Sequence, residues 1–513
     1  MNKDSIYPLY LEQLQGVRDF RESYYGKYKT QALERDDPEL QRLTEAIAYC
    51  SAHAQIEGQK ALRAYQANLI GQIHPYMMAP LPAKSILNLV PNEKLPNSVS
   101  LKAGTELFVQ SESKDLAVFS TCLEMKVAPL VYEGLTTERQ GLKELNLKLN
   151  FKALSEQQNS PGKLPILLDV CQDVQQTMSL YQAVEQAECY ITFDKMDSPY
   201  PCKKVMNQQA FYPGMNPIES CRQYFHFPQA QFCIDIDMQK APATWRYLTV
   251  NLRVRVDANT NWQKGNFKPF CVPVINLQKK AAQRIKVDGK KVNYPVFTQE
   301  QEQHAEVHSI LGVYKLIGQN RTPLLPSVLH NSLSVDNAIP SYGINWSASP
   351  NLALDLNLPE AFSNPVNVEV EALWHQPRFS NTFWQKTHVA PLKMDMPGLD
   401  WQLTGTKVKH REAERSIEYL TSLLELRNNE VVTVEHIHSL ITILSTEWDS
   451  VFDIIGEGYE GVIELKEPQK FAIRLKLDKD NKALAKLFLD FFQRAVEAWF
   501  ATQTVTLKIE YIN

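Results

Sequence analysis

Glycine is scarce in this chain, 19 of 513 residues, against 29 prolines. That balance disfavours glycine-rich cofactor folds and favours strands and loops bounded by proline. A charge excess is missing as well: Lys plus Arg is 54 and Asp plus Glu is 58, a formal net charge of −4. A dedicated nucleic-acid binder would carry a basic excess, so no nucleic-acid partner is expected. Closely spaced cysteines are also lacking. Cys50, Cys122, Cys171, Cys189, Cys202, Cys221, Cys233 and Cys271 form no C-x-x-C pair and no repeated close pair. Zinc ribbons and redox motifs are therefore unsupported, and dispersed thiols in a large chain fit a reducing cytosol. Residues 1–16 show no basic stretch followed by an apolar core, so no signal peptide is expected there. Residues 64–83 carry no charged side chain, yet they hold Gln66, Asn68, Gln72, His74 and three prolines. A spanning helix needs about 20 mainly apolar residues, so no direct membrane insertion is expected.

Catalytic motifs fail in the same way. Residues 456–461 fit G-x-G-x-x-G formally, but that motif needs a strand before it and a helix after it. Here a short strand and Pro468 follow, and Glu457 and Glu460 would repel phosphate. His304 and His308 stand four apart, but the intervening Glu306 is not directly after the first histidine, as a zinc-protease helix requires. His436 and His438 stand two apart, which places them on different faces of a helix. No G-x-S-x-G and no phosphate-loop lysine is present. Asp235 and Asp237 would share a strand face, where acidic pairs are usually solvated. The expectation is a protein that is not an enzyme, with no catalytic residues, no cofactor and no metal.

What is present is a globular composition, 44% apolar and 22% charged, enough for three or four domains at about 150 residues each. Residues 1–40 read as helix, with Tyr10, Leu14, Val17, Tyr24 and Tyr28 on one side. Asp37, Pro38 and Glu39 then restart the chain as N-cap, first helical residue and first-turn acid. Leu40, Leu43, Ile47, Cys50 and Ala54 step at helical spacing, followed less cleanly by Ala61, Tyr65, Leu69 and Ile73 up to Pro75. Such a helix spans roughly 55–60 Å. Its narrow stripe suits packing on another helix, either the preceding one in a hairpin or one from a partner.

After Pro82 the pattern turns to short strands over residues 85–90, 98–101, 106–110, 116–120, 124–132, 144–151, 187–193 and 231–237. Helices are expected at 172–185 and 217–224, a hairpin turn at 102–105 with Gly104 at positive φ, and a bulge near Thr249 in strand 245–256. Residues 322–354 hold one charged residue, Asp336, and four prolines, with no clear period. They read as an extended arm laid on another surface. The last quarter reads as α/β, with helices at 411–427, 434–444 and 483–501 and strands at 462–465, 471–477 and 505–512. The expected class is α+β and multidomain: a long-helix region at 1–82, antiparallel β-rich domains at 83–320, a low-charge arm at 321–364 and a C-terminal α/β domain at 365–513. The low-charge stretches are the expected partner surfaces, with Leu40, Leu43, Ile47, Leu69, Ile73, Pro75, Tyr76, Leu324, Leu325, Ile339 and Trp346 as contact residues.

Several of these segments, in order, resemble the TssF (VasA/ImpG) family of type VI secretion baseplate proteins. They are the Asp37-Pro38 helix start, His74-Pro75-Tyr76, Leu101-Lys102-Ala103-Gly104-Thr105 and Phe119-Ser120-Thr121-Cys122. Tyr224-Phe225-His226-Phe227-Pro228, the run Phe270 to Leu277 and Tyr294-Pro295-Val296 follow. Past about Leu316 the likeness thins, with Trp374-His375-Gln376 where an Asn-Arg element is expected, which suggests a divergent or short subtype. The resemblance implies a phage-tail-wedge-like fold and a structural role in the cytoplasm, at a baseplate docked to the inner membrane. The partners it implies are a TssG-like wedge subunit, a second copy of the chain, a TssK-like adaptor, TssE-like and sheath proteins, and the VgrG spike hub. The alternatives are a wedge protein of a contractile phage tail or extracellular injection particle and, further off, an enzyme of unrecognised type.

Overall fold

The computed structural model describes residues 6–512 apart from short stretches, the longest being 28–37, 207–214, 328–338 and 446–452. Helix α1 (Ile6–Lys27) and helix α2 (Pro38–Ile73) pack on each other as a hairpin. Of the two readings of the long helix, packing on its own chain is therefore realised. Pro38 suits the first turn of α2 because its missing N–H would be unpaired there anyway. The suggested N-cap Asp37 and the stripe residue Tyr28 lie outside the described residues. At the other end, His74 precedes a proline and leaves the helical region, with φ −132° and ψ 66°. Pro75 then opens a single turn, α3 (Pro75–Met78).

The chain next enters a six-stranded antiparallel sheet. Its order is Thr387–Pro391, Glu106–Ser111, Leu116–Thr121, Cys271–Ile275, Lys84–Pro91 and Leu399–Val408. Lys84–Pro91 lies inside this sheet, pairing Ile86 with Pro273 on one side and with Thr404 on the other. It is therefore buried almost continuously rather than on alternate residues. Six further sheets follow among the described residues. One has the order Tyr200–Pro201, Glu188–Phe193, Trp245–Arg255, Glu144–Gln157 and Leu130–Arg139. Another has Lys203–Met206, Cys233–Met238, Gly162–Leu168 and Phe267–Pro269. A third is built on Glu306–Ile317 paired with Val366–His375, and Val99–Leu101 pairs with Met125–Val127. Helices α4 (Val174–Gln186) and α5 (Pro217–His226) interrupt the strands close to where they are expected.

Three expectations change. The turn at Lys102–Thr105 exists, with Gly104 at φ +79°, but it carries the chain between two sheets rather than closing a hairpin. The bulge in Trp245–Arg255 falls between Trp245 and Tyr247, earlier than Thr249, because Trp245 holds its side chain in the core. The low-charge arm is not a free extension. Asn320–Pro323 pairs with Glu306–Ile317, while Leu325–Pro326, Ser341–Asn345, Ala353–Asn357 and Asn293–Pro295 form a sheet of their own. Within the arm Leu324, Ser341, Trp346, Leu352, Ala353 and Leu354 are buried in this chain, while Pro323, Leu325 and Ile339 are exposed.

At the C-terminal end, α6 (Ile417–Arg427), α7 (Val434–Ser445) and α8 (Asp453–Gly458) lead into the strand Tyr459–Glu464. Lys470–Leu475, α9 (Lys482–Trp499) and Thr506–Tyr511 then make a strand–helix–strand unit whose strands run parallel. The glycine-rich segment 456–461 thus has helix before strand, the reverse of the order a dinucleotide site needs. The whole is α+β and multidomain.

Candidate partner-binding surfaces

The hairpin has a thin interior. Leu14 of α1 and Thr44, Ala48 and Ala52 of α2 are its buried side chains, and Gln13 Nε2 donates to Gln55 Oε1 at 3.0 Å across it. The face that turns inward is one residue away from the expected stripe, a rotation of about 100°. Small Thr44, Ala48 and Ala52 let the helices approach closely, while the larger Leu43 and Ile47 point outward, 57% and 46% exposed. Leu43, Ile47 and Tyr65 share an outer face of α2 to within about 40° on an ideal helix. Tyr7, Leu11, Phe20 and Tyr24 of α1 are exposed too, with the Phe20 and Tyr24 rings 6.2 Å apart. These exposed apolar side chains lie along both helices of the pair.

The far end of α2 behaves differently. Ala67, Ile70 and Gly71 are buried, and Gln66 Nε2 donates to Thr421 Oγ1 of α6 at 2.9 Å. Trp346 packs against Gly71, where an added Cβ would sit 2.0 Å from the indole Cδ1. The Trp346 backbone N–H donates to Asn68 Oδ1 at 2.8 Å, and its backbone carbonyl accepts from Arg415 Nη1 at 3.2 Å. The His74 ring stacks on Trp499 of α9 at 4.4 Å and its Nδ1 pairs with the Tyr76 hydroxyl. The expected contact residues therefore divide. Leu43, Ile47, Pro75, Leu325 and Ile339 are exposed; Leu40, Leu69, Ile73 and Tyr76 are half-buried; Leu324 and Trp346 are buried in this chain. Trp346 is packed within its own chain, 3% exposed. Pro75, Tyr76 and Trp346 do converge, on a cleft of about 530 Å³ that Glu219, His308 and Leu311 also line.

Beneath that cleft is a polar junction that sequence reasoning missed. Lys84 is fully buried and its Nζ donates to Gln223 Oε1. Arg222 donates to the Tyr76 carbonyl and, at 3.2 Å, to the Ala79 carbonyl; His226 Nε2 pairs with the Pro82 carbonyl at 3.0 Å. Helix α5 thus reads the backbone of the segment leaving α3, and Tyr224 stacks on Phe491 at 4.2 Å to tie it to α9. Burial pulls Lys84 down to about 7 and pushes Glu219 up, against the attraction of Arg222 and Lys84. Burial and the Arg222 charge pull His308 down to about 4. A tyrosine, phenylalanine and proline run gives no sign that its neighbours are sealed charges, so no sequence signal beyond Arg222 in an aromatic run was available.

His304 lies outside the described residues. His436 Nδ1 accepts from Thr433 N, and His438 Nδ1 pairs with the Tyr459 hydroxyl at 2.6 Å, so the two serve different contacts. Among the described residues, no group of three or more His, Cys, Asp or Glu stands where it could hold a metal ion, and no helix is long and apolar enough to cross a membrane.

A family model described as type VI secretion system, TssF, matches residues 25–350. A search of curated proteins returned no match. Among solved structures, a chain of the type VI secretion TssK-TssF-TssG baseplate subcomplex is similar with TM-score 0.71 and 14% identity. That match covers 92% of this chain and 96% of the other. A chain of a type VI secretion baseplate complex is similar with TM-score 0.59 and 10% identity, over 98% and 97% of the two chains. At these identities the likeness is one of fold, and it extends through the C-terminal part that lies beyond the family match.

Proposed function

The chain belongs to the TssF family of the type VI secretion system, and we propose that it is a structural subunit of the baseplate, working through surfaces rather than catalysis. The observation that carries this reading is the end-to-end likeness to a chain of the TssK-TssF-TssG subcomplex. The hairpin supports it physically. Its outer face leaves Leu43, Ile47, Tyr65 and Phe20 in water, an arrangement that a further helix from a TssG-like subunit or a second copy of the chain would relieve. A TssK-like adaptor contacts the same wedge, and TssE-like and sheath proteins and the VgrG hub complete the assembly in the cytoplasm at the inner membrane. The polar junction and the α9 stacking hold the remaining sheets as a scaffold behind the hairpin.

Co-expression with the TssG-like protein of the same system, followed by pull-down through one tag and mass determination of the eluate, tests the proposal. A defined complex holding both proteins is the expected result. A chain that remains a stable monomer in the partner's presence overturns it.

A further inference from the structure

Two cysteines 13 residues apart meet where the chain leaves one sheet for another. Glu188–Phe193 pairs with Tyr200–Pro201 in the five-stranded sheet, and Lys203–Met206 pairs with Cys233–Met238 in a four-stranded one. Cys202 is the single residue between those two strands. Its N–H donates to the Cys189 carbonyl at 3.0 Å, which extends the ladder by one pair. The two sulfurs, both free thiols, stand in direct contact. Directly opposed residues on antiparallel strands fall within the Cα separation that a disulfide spans, so no backbone rearrangement is needed to join them. The sequence showed no redox motif because this pairing is made by strand register and not by spacing.

The two thiols are not equivalent. Cys189 is 6% exposed, whereas Cys202 is half-buried. The hydrogen bond from Cys189, helped by the Lys204 ammonium, draws Cys202 below the usual thiol range, against its partial burial and the Asp237 carboxylate. The same hydrogen bond, together with burial, pushes Cys189 up. Lys204 is held in place by the Ala187 carbonyl. This is the arrangement in which one sulfur reacts first and its neighbour resolves.

We propose that Cys202 and Cys189 form a peroxide-reactive dithiol, with Cys202 the nucleophile and Cys189 the resolving thiol, whose reversible disulfide locks the crossing between the two sheets. The Cys202 thiolate attacks a peroxide oxygen. The O–O bond breaks, sulfenic acid forms on Cys202, and hydroxide leaves and is protonated to water. Cys189 sulfur then attacks the sulfenic sulfur. The S–S bond forms, the S–O bond breaks, and the departing hydroxide takes the Cys189 proton as a second water. The two thiols are oxidised and the peroxide is reduced; a dithiol reductant reverses the change.

The test exposes the full chain to hydrogen peroxide, blocks remaining thiols, and maps the peptides by mass spectrometry. Exposed Cys50 serves as the internal comparison. A Cys189–Cys202 cross-linked peptide, reversed by dithiothreitol and formed at least about tenfold faster than Cys50 is oxidised, is the expected result. In Cys189→Ser, sulfenic acid trapped by dimedone should accumulate on Cys202; in Cys202→Ser, no trapped adduct should appear on Cys189. The unsubstituted chain alone decides the main point, whatever the variants do to folding. Oxidation of Cys50 ahead of the pair, absence of the cross-link, or dimedone on Cys189 first would each overturn the proposal.

Discussion

In the N-terminal hairpin the buried side chains are Leu14, Thr44, Ala48 and Ala52, while Phe20, Leu43 and Tyr65 stand more than half exposed. At the central junction, Lys84, Arg222 and His226 are sealed in among Tyr224, Phe225 and Phe227. One region leaves apolar surface in water and the other removes charge from it. Both arrangements cost free energy in the isolated chain, but they are offset differently. The junction pairs its cations and imidazole internally, Lys84 with Gln223, Arg222 with the carbonyls of Tyr76 and Ala79 and His226 with that of Pro82, and the Tyr224 ring beside them stacks on Phe491. The outer apolar side chains of the hairpin have no comparable internal cover among the described residues. On the proposed reading the contrast is one of scaffold against assembly surface, and it can be broken at either end.

The largest effect is expected at the junction. Phe491→Ala removes the ring stacked on Tyr224 and opens a cavity between α5 and α9, at a cost of about 3–5 kcal/mol in stability. Chemical denaturation of the purified chain measures it. A loss below about 1 kcal/mol would show that the stack is peripheral and the junction is no scaffold.

Acid should act on the same region. His308 has its folded pKa drawn down to about 4 by burial and the Arg222 charge, below the unfolded value of 6.5. Between those two values the unfolded chain holds the extra proton, so stability falls as the pH drops from about 6.5 to about 4. The loss from His308 is of order 3 kcal/mol when complete. His226 and His375 are displaced the same way, chiefly by burial, with Lys84 and His308 respectively adding to it. Lys84, drawn down to about 7, works in a separate window: its penalty eases as the pH rises from about 7 to 10.5. Thermal melts at stepped pH should therefore show a steep decline below pH 6.5. A profile flat to pH 4 would mean that these histidines are solvated.

How much of this the sequence could tell depended on which period governed each element. Lys84–Pro91, Glu106–Ser111 and Leu116–Thr121 were legible from apolar runs bounded by proline, glycine and lysine. Helix α2 was legible from Pro38 and its spacing, yet its inward face was not. Hydrophobicity favoured Leu43 and Ile47, while close helix packing selected the small neighbours Ala48 and Ala52. A stripe drawn on side-chain size alone points outward here. The packing of Trp346 within its own chain was not legible for a related reason, since an uncharged stretch is equally what a partner covers and what the chain covers itself, and Gly71 lies 275 residues away. Lys84, Arg222 and His308 were invisible as a group because three separate elements bring them together.

The smallest effect on the isolated chain carries the most information about assembly. Leu43 and Ile47 already face solvent, so the double substitution Leu43→Glu with Ile47→Glu should change the chain's own stability by no more than about 0.5 kcal/mol. If a partner helix covers that face, the two carboxylates would be buried there without counter-ions, and the complex with the TssG-like protein should lose at least about tenfold in affinity. The paired readings decide between the regions. Loss of the complex with an unchanged melt assigns the outer face of α2 to assembly. An unchanged complex leaves that face in water within the baseplate and moves the search for the contact to Tyr7, Leu11 and Phe20 on α1. A collapsed melt would mean that the hairpin, like the junction, is finished within its own chain.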